Sequence, residues 1–480
     1  MQQGSIFDEL PRFEITKPIR LIELFAGYGS QALALEYLNA DFEHYKICEW
    51  NYKSFHAYND IHIRDYTDYS KDLSKENIVD YLFEKGISSD WNLPMEMEQI
   101  KRFKEPKLRK IYNDIIVTHN LANISLTKGK DLEIKDTNKY DYIMTYSFPC
   151  QDLSAAGKGA GMEKGSGTRS GLLWEVERIL SELDEKPQVL LMENVPQVHS
   201  TKNMQLFSNW LNALEKMGYK SYVKDLNAKN YGIPQSRNRT FVVSILGDYN
   251  YEFPEKQKLK LKLKDMLEDK VDKKYYLSEK AIKRMGPTKV EENIYRKHCS
   301  EDLKIYDSYN HKYVDTMGTI PAGYGKVGHG CVLEEPICLN SKVDGKQPSL
   351  QDRIYDSKGI STAITTSFNP AYKIKQIGNL YPDTEKFKNK TTGRIYSPNG
   401  LSPTLNVCSG GNHTPIMGYK SEKNTTYKFR RLTPIECFRL MGVKDNDFQK
   451  LSETSNSTLY HLAGDSIVVN VLTALFGKVL

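Results

Sequence analysis

Apolar runs alternate with amphipathic segments in the first half of the chain. From Ile19 an apolar run, IRLIELF, is followed by a glycine turn, AGYGS, and by an apolar-periodic segment, QALALEYLNA. This order predicts a strand, a tight turn and a helix. The runs HYKICEW, YDYIMTYS and QVLLMEN predict further strands, and GLLWEVERILSEL predicts a helix. Strands that alternate with helices imply an α/β fold with a parallel sheet and right-handed crossovers.

Two stretches depart from this alternation. Between Asp60 and Lys130 the chain is charged and its apolar spacing is helical, without recognisable chemistry, which indicates an insertion. From about Asp248 to Lys428 the chain is first dense in lysine and then rich in Tyr, Gly, Thr and Asn, which predicts a separate domain of short strands and loops. The final segment, GDSIVVNVLTALFGKVL, predicts an apolar helix that returns to the first domain.

Composition narrows the class of protein. The 480 residues include 67 Lys and Arg against 61 Asp and Glu, which gives a formal net charge of +6. Because this net charge is small for the length of the chain, any affinity for nucleic acid must come from local basic patches. We find no signal-peptide core and no apolar run of the roughly 20 residues that span a bilayer, and we therefore expect a cytoplasmic protein without membrane contact. The seven cysteines form no C-x-x-C pair, so we expect free thiols, no disulfide framework and no metal.

The glycine turn fits a nucleoside-binding fingerprint. Gly27, Gly29 and Ala32 match G-x-G-x-x-G/A between a strand and a helix, and Glu49 follows at the end of the next strand. At this spacing a carboxylate reaches a ribose hydroxyl, while the glycines let the backbone approach the ligand closely. The pattern suits NAD or S-adenosylmethionine, and Trp50 could stack on an adenine. A glycine-rich turn without a ligand and an aromatic residue at the rim are the alternatives.

A thiol, a carboxylate and two arginines are predicted near one edge of the sheet. Cys150 follows one predicted strand and Glu193 ends another, so both belong at the carboxyl edge, where open α/β sheets bind their ligands. Arg237 and Arg239 alternate just before a strand and should point to one side, where they could clamp phosphate or carbonyl oxygens. Taken singly, these residues have plain structural alternatives: a buried thiol, a carboxylate bonded to backbone N–H groups and a solvated arginine pair. Together they favour catalysis.

These pieces resemble the motifs of the DNA (cytosine-5)-methyltransferases and occur in family order. FAGYGS is similar to the first motif, CEW to the second and KGKDL, with Asp131, to the third. SFPCQDLS resembles the nucleophile motif, MENV the glutamate motif and QSRNR the arginine motif, while RRLTPIECFRLMG and GDSIVVNV resemble the last two. In two places the match departs from the family: Asp465 stands where the family usually has Asn, and Asp136 and Asp141 compete with Asp131.

The resemblance implies a domain organisation. A Rossmann-like mixed α/β sheet would form the catalytic, S-adenosylmethionine-binding domain from residues 1–247, with the insertion at about 60–130 and completion by residues 456–480. A smaller, strand- and loop-rich target-recognition domain would span 248–455. That domain would include RRLTPIECFRLMG as a structural anchor to the catalytic domain.

The resemblance also implies an activity. A methyl group would pass from S-adenosylmethionine to C5 of a flipped-out cytosine in a specific duplex DNA sequence, with Cys150 bonded covalently to C6. Glu193 would contact the ring, Arg239 would contact its O2, and Arg237 would lie nearer phosphate. The cofactor would contact Phe25, Ala26, Gly27, Gly29, Glu49, Trp50, Asp131, Leu132 and Ser466.

The glycine-rich loop after Cys150 would contact DNA through Gln151, Ser154, Lys158 and Arg169. The expected state is a monomer acting on double-stranded DNA, with a cognate restriction endonuclease as a candidate partner. Three other functions fit some of the motifs. A tRNA cytosine methyltransferase of the same superfamily should have a shorter recognition insert, a thiol-dependent NAD oxidoreductase would leave QSRNR unexplained, and the third is a catalytically inactive DNA-binding module.

Overall fold

The computed structural model divides into two compact units, which are considered separately. The structure describes residues 10–90, 92–149, 153, 162–276 and 427–480, and shorter pieces at 304–307, 312–314, 331–333, 376–379, 394–396, 401–403, 405 and 416–420. The first unit takes in residues up to 233, 237–259 and 441–480, and the second takes in 234–236 and 260–440.

A six-stranded mixed sheet forms the centre of the first unit. Its strands are β1 Ile19–Leu24, β2 Phe42–Cys48, β3 Asp141–Tyr146, β4 Val189–Asn194, β5 Tyr219–Asn227 and β7 Asn238–Leu246, in the order β2-β1-β3-β4-β7-β5. The first four strands in this order are parallel, whereas β7 runs antiparallel to both neighbours. The connection from β5 to β7 is too short for a helical crossover, so the all-parallel sheet expected from the alternation alone does not form there.

Helices cover this sheet and account for the charged stretch in the sequence. The helices of the first unit are α1 Ser30–Tyr37, α2 Tyr52–Tyr58, α3 Lys75–Glu84, α4 Met97–Lys101, α5 Glu105–Val117, α6 Leu173–Ser181, α7 Met204–Lys216, α9 Asp445–Gln449, α10 Asn456–Asp465 and α11 Val469–Phe476. A π-helical turn, Asn59–Ile63, extends α2. The residues predicted as an insertion form α3, α4 and α5 within the connection from β2 to β3.

The second unit contains short strands and one helix in its described part. The strands are β6 Gln235–Ser236, β8 Lys304–Asp307, β9 Lys312–Val314, β10 Cys331–Leu333, β11 Gln376–Asn379, β12 Arg394–Tyr396, β13 Ser402–Pro403, β14 Ile416–Lys420 and β15 Tyr427–Arg431, and the helix is α8 Pro434–Leu440. They form sheets in the orders β10-β8-β9 and β11-β12-β14-β15, and β6 pairs with β13. Strands of two to five residues agree with the predicted strand- and loop-rich texture.

The boundaries between the two units in the sequence lie at different residues from those predicted. Residues 248–259 belong to the first unit, where Asn230 O accepts a hydrogen bond of 2.8 Å from Gln257 N. Residues 441–455 also belong to it, because Tyr37 OH donates to Asp447 at 2.6 Å. The division therefore falls at 259/260 and 440/441 instead of 247/248 and 455/456. The lysine-rich composition gave no sign of these contacts.

The apolar C-terminal segment is part of the core. By length and composition alone, Asn456–Phe476 could cross a membrane, but 67% of its most apolar window is buried inside the protein. The segment is also broken, because α10 ends at Asp465 and Ser466 has an extended backbone. We therefore assign α10 and α11 to the core of the first unit. The predicted helix begins only at Val469, five residues into the apolar run.

A buried ion pair fixes the segment RRLTPIECFRLMG within the second unit. Arg430 donates two hydrogen bonds of 2.8 and 2.7 Å to the carboxylate of Glu436, which is completely buried. The same carboxylate accepts from Thr433 N and Glu268 N, both at 2.8 Å. Four donors thus satisfy a charge that would otherwise be costly to bury. This supports a structural role for the segment.

Loss of one partner of this pair should destabilise the second unit. We expect Arg430→Met to cost about 3–5 kcal/mol, because it leaves the Glu436 charge buried and unpaired. The double variant Arg430→Met/Glu436→Gln should recover part of this loss, since Gln keeps an acceptor oxygen without the charge. Urea unfolding followed by circular dichroism measures both.

Lys101→Met is the matched control, because it removes an exposed ion pair with Glu98. Its expected cost is below about 1 kcal/mol. An Arg430→Met effect no larger than this would show that the buried pair contributes little to stability.

Candidate active site

The parallel register brings three strand ends level at one edge of the sheet. Leu24 of β1 pairs with Tyr146 of β3, and Tyr146 pairs with Met192 of β4. The residues that follow, among them Phe25, Ser147 and Glu193, therefore meet at the carboxyl edge, as expected for an α/β sheet.

The glycine turn leaves β1 in a left-handed backbone conformation. Phe25, Gly27 and Gly29 have φ values of 59°, 58° and 82°, and Gly29 N donates to Ala26 O at 2.9 Å. A Cβ built on Gly27 meets no atom of the described residues within 4 Å, whereas one built on Gly29 overlaps the side chains of His62 and Tyr58. Gly27 thus borders open space that a ligand can use, while Gly29 is needed for packing.

Glu49 joins the end of β2 to the glycine turn. Its carboxylate accepts a hydrogen bond of 3.0 Å from Gly27 N and one of 2.8 Å from Asn51 N. Burial raises the pKa of Glu49 to about 7, the two backbone N–H groups oppose the shift, and the charge of Asp465 adds to it. Glu49 is therefore fixed at the predicted position, and half-buried Trp50 follows it. Because the pKa of Glu49 lies near neutrality, a small change of pH changes the charge of this carboxyl.

The last motif returns to the same turn. Tyr28 OH donates to Ser466 Oγ at 3.1 Å, which brings Ser466 beside the glycine turn. Burial raises the pKa of the neighbouring Asp465 to about 7 against the influence of Arg237, although 44% of its side chain stays open to solvent.

The predicted third motif forms a tight turn. Asp131 Oδ2 accepts from Lys128 N at 2.8 Å within this turn, and Leu132 is completely buried in the hydrophobic core. A contact of either residue with the cofactor stays a prediction.

Asn120 takes the place beside Glu49. Leu121 N donates to Ile47 O at 2.8 Å, which pairs this segment with the end of β2. The Asn120 side chain bonds both the N–H and the carbonyl of Glu49, at 3.1 and 2.9 Å. Sequence inspection missed it, because an Asn between α5 and Leu121 gives no local signal.

A second polar cluster surrounds Glu193 at the end of β4. Ser147 Oγ donates to Oε2 at 2.6 Å, and Arg239 Nε forms an ion pair with Oε1 at 3.1 Å. The direction of that Arg239 N–H does not meet hydrogen-bond geometry, so Oε1 accepts no hydrogen bond from the described residues. Glu193 is 4% exposed. A buried carboxylate oxygen in this state is ready for a donor from a ligand.

Arg237 does not point to the side that Arg239 faces. Its side chain, 4% exposed, donates to Gly464 O at 3.1 Å and Ser466 O at 2.8 Å. The predicted alternation fails because β7 begins at Asn238, so Arg237 lies outside the regular strand. The guanidinium of Arg237 therefore contacts the last motif, and its predicted approach to phosphate stays a prediction.

The predicted nucleophile cannot be located. Cys150, Gln151, Ser154 and Lys158 lie outside the described residues. The chain just before them is fixed: Phe148 O accepts from Asn194 Nδ2 at 2.9 Å and Pro149 O accepts from Ser170 Oγ at 2.7 Å. The last described residue before the thiol therefore lies at the edge that holds Glu193.

The remaining predicted residues have ordinary partners. Arg169 is half-buried and donates to Asn92 Oδ1 at 2.8 Å. The thiols of Cys48 and Cys437 are both buried.

Comparison with known proteins identifies the family. A family model described as C-5 cytosine-specific DNA methylase matches residues 99–480. The chain belongs to this family. The orphan methyltransferase M.SssI of Spiroplasma monobiae is 39% identical to this methylase, over 55% of this chain and 68% of the relative. The type II methyltransferase M2.ScrFI of Lactococcus lactis subsp. cremoris is 30% identical, over 95% and 98%.

Solved structures agree with the fold of the methylase. The crystal structure of the S. pombe Dnmt2 methyltransferase has a TM-score of 0.50 and 15% identity, and the match covers 97% of this chain and 98% of that one. The predicted family and the mixed α/β fold are therefore confirmed. The family's activity is cytosine-5 methylation of DNA, and the nicotinamide alternative is set aside.

The two glycines should respond differently to a methyl group. We expect Gly29→Ala to destabilise the methylase by about 3 kcal/mol, because left-handed strain of about 1–2 kcal/mol adds to overpacking against Tyr58 and His62. Gly27→Ala, the matched control, should cost only the strain. Urea unfolding compares the two variants, and equal losses would contradict the difference in packing.

Proposed function

We propose that this methylase transfers a methyl group from S-adenosylmethionine to C5 of a cytosine in a specific duplex DNA sequence, through a covalent bond between Cys150 and C6. The observation that carries the proposal is the buried Glu193 carboxylate. One of its oxygens is held by Ser147, and the other lies beside Arg239 and accepts no hydrogen bond from the described residues. Glu193 and the glycine turn lie at the same edge of the sheet.

The residues at the glycine turn fit the cofactor. Open space borders Gly27, and the Glu49 carboxylate at this point can accept hydrogen bonds from ribose hydroxyls. Half-buried Phe25 offers an aromatic surface to the adenine, and Ser466 and Asp465 lie where the methionine end would bind. When bound, S-adenosylmethionine supplies an electrophilic methyl group.

Cys150 makes the target carbon reactive. C5 of cytosine is a poor nucleophile, so a thiolate first adds to C6, forming the S–C6 bond and moving the ring electron pair towards C5. C5 would then bond the methyl carbon of the cofactor, while the bond between that carbon and the sulfonium sulfur would break and leave a thioether. Removal of the C5 proton by a base and cleavage of the S–C6 bond restore the ring and the thiolate.

Glu193 stabilises the cytosine ring while the electron pair moves towards C5. Its second oxygen can accept a hydrogen bond from the exocyclic amine of the base, and the carboxyl, when protonated, can donate to N3. Ser147 fixes the carboxyl in one orientation. Arg239, paired with the same carboxyl, is the residue proposed to reach the base O2. The cytosine must leave the duplex to reach this pocket, at a cost of a few kcal/mol for unstacking.

The second unit and the glycine-rich loop are proposed to contact DNA. We infer that residues within 260–440 carry target recognition, since short strands and polar loops suit contacts to base edges. Gln151, Ser154, Lys158 and Arg169 are proposed to contact the backbone and the extruded nucleotide. We further propose a monomeric, cytoplasmic enzyme. A cognate restriction endonuclease is the candidate partner, because one similar relative is named a type II methyltransferase. Another similar relative is named an orphan methyltransferase.

Removal of the thiol should abolish methylation. Cys150→Ser is expected to retain DNA binding and lose methyl transfer, because serine is a much weaker nucleophile towards C6. Bisulfite sequencing of DNA from cells that express either form reports the methylated base and its sequence context.

Cys48→Ser controls for loss of a buried thiol away from the predicted nucleophile. Appreciable turnover by Cys150→Ser would refute the covalent step. Preferential labelling of tRNA over duplex DNA by the wild type would instead favour the tRNA alternative.

Glu193→Gln should slow the chemical step. We expect kcat to fall about 10²–10³-fold with little change in DNA affinity, because Gln keeps the shape and loses the ionisable oxygen. Glu185→Gln, an acid bonded to Thr137 on a surface loop, is the control and should behave as wild type. A loss confined to DNA binding would exclude a role on the ring.

Cofactor affinity should depend on pH near neutrality. Glu49 and Asp465 both have pKa values raised to about 7, so they gain protons as the pH falls through that value. The sulfonium and the ribose hydroxyls of the cofactor bind ionised carboxylates more tightly than protonated ones. The affinity for the cofactor should therefore fall below pH 7, by at most about tenfold per pH unit for each carboxylate. Titration calorimetry about one unit on either side of neutrality measures this. Asp465→Asn should lower the affinity above pH 7 towards the value that the wild type has below it, and so flatten the dependence. An unchanged slope would show that Asp465 is not involved.

A further inference from the structure

A cluster of polar side chains lies behind the glycine turn, and the proposed mechanism makes no use of it. Glu23 comes from β1, Glu36 from α1, His44 from β2, Tyr58 from α2 and His62 from the π-helical turn. Among the described residues, Glu36, His44 and His62 offer ligand atoms that all lie within 4.8 Å of one another.

The hydrogen bonds of His62 fix its tautomer. Nε2 lies 3.0 Å from the carbonyl oxygen of Tyr28, which can only accept, so Nε2 carries the proton and donates. The other nitrogen, Nδ1, lies 2.5 Å from Glu36 Oε1. In the neutral ring, Nδ1 therefore presents a lone pair to a carboxylate oxygen, and a positive species must lie between them.

The bonds of His44 point to the same conclusion. Tyr58 OH donates to Glu23 Oε2 at 2.6 Å, so the Tyr58 oxygen accepts the Nδ1–H of His44 at 3.0 Å. The lone pair of His44 is then on Nε2, 3.7 Å from Glu36 Oε1. A proton shared by Glu36 and His62 satisfies their own contact but provides no donor for His44 Nε2.

We propose that Glu36, His44 and His62 bind one divalent transition-metal ion, with Zn²⁺ the best suited to two imidazoles and one carboxylate. Around a tetrahedral ion with bonds of about 2.0 Å, ligand atoms lie about 3.3 Å apart, which falls between the 2.5 and 3.7 Å separations here. A metal-bound histidine usually donates its second N–H to a protein oxygen, as both rings do.

The site has a route from solvent. The side chains of His44 and Glu36 are 21% and 29% exposed, whereas His62 is completely buried. An ion can therefore enter from the side of Glu36 and His44, and a water molecule can complete the coordination. The sequence pattern does not indicate this site, because the three ligands are separated by eight and eighteen residues and form no recognisable zinc motif.

Metal binding would restrain the glycine turn on the side opposite to the proposed cofactor. His62 donates to Tyr28 O, and its ring fills the place that a Cβ on Gly29 would occupy. An ion held by His62 therefore restrains the turn whose other face is proposed to bind the cofactor. By reciprocity, each ligand should raise the affinity of the other. The metal site stands without the proposed function, and only this coupling rests on it.

The test uses the full chain, stripped with a chelator and titrated with Zn²⁺. We expect one ion more per wild-type chain than in Glu36→Gln or His44→Gln, each of which should bind that ion at least about 100-fold more weakly. His199→Gln, which removes another histidine paired with a carboxylate, is the control and should bind as wild type. Equal stoichiometry and affinity in wild type and both ligand variants would overturn the proposal.

Two further measurements separate this site from cysteine ligands and from misfolded variants. Cadmium-113 NMR of the wild type distinguishes nitrogen and oxygen ligands from thiolates, and only the former support the proposal. Anomalous diffraction at the zinc edge needs no variant, and a peak among the three side chains supports the site, whereas peaks only at cysteines overturn it.

The coupling has its own readout. Zn²⁺ should tighten S-adenosylmethionine binding by the wild type and leave His44→Gln unaffected. Bound zinc without this change would overturn the coupling while the site stands. Loss of methyl transfer in Cys150→Ser with zinc binding intact would show that the two proposals are independent.

Discussion

The parallel pairing of β1, β3 and β4 is the constraint on which the site depends. Because Leu24, Tyr146 and Met192 lie in register, the segments that follow them leave the sheet at one level. The glycine turn and the Glu193 cluster are neighbours for this reason alone, although about 170 residues separate them in sequence. Backbone hydrogen bonds place the polar groups, and the side chains then complete the geometry.

Much of the framework could be predicted from local patterns. The runs that form β1, β3 and β4 are continuous and apolar because both faces of the central sheet are covered, and their observed bounds differ from the predicted runs by one or two residues. Glu49 and the glycine turn were recognised by spacing, since the distance along a βαβ unit is set by the lengths of one helix and one strand. The family order of the motifs was informative because each motif ends at the same edge.

The errors share a physical origin in contacts that are distant in sequence. Arg237 is held by carbonyls 227 and 229 residues away, so inspection of QSRNR alone could not place it. Asn120 is paired with Glu49 from across the helical connection, and nothing beside it in the chain marks that contact. The roles of Leu132 and Cys150 stay predictions based on their motifs.

The return of the C-terminal segment has a consequence for synthesis in the cell. Ser466 reaches Tyr28, and Asp447 reaches Tyr37, only after more than 400 intervening residues have been translated. A ribosome adds about 5–20 residues per second, so the nascent sheet waits tens of seconds for its last helices. During that interval the apolar surface that α11 later covers is open to chaperones, and the cofactor edge is incomplete. Translation itself therefore delays the moment at which a new molecule can act on DNA.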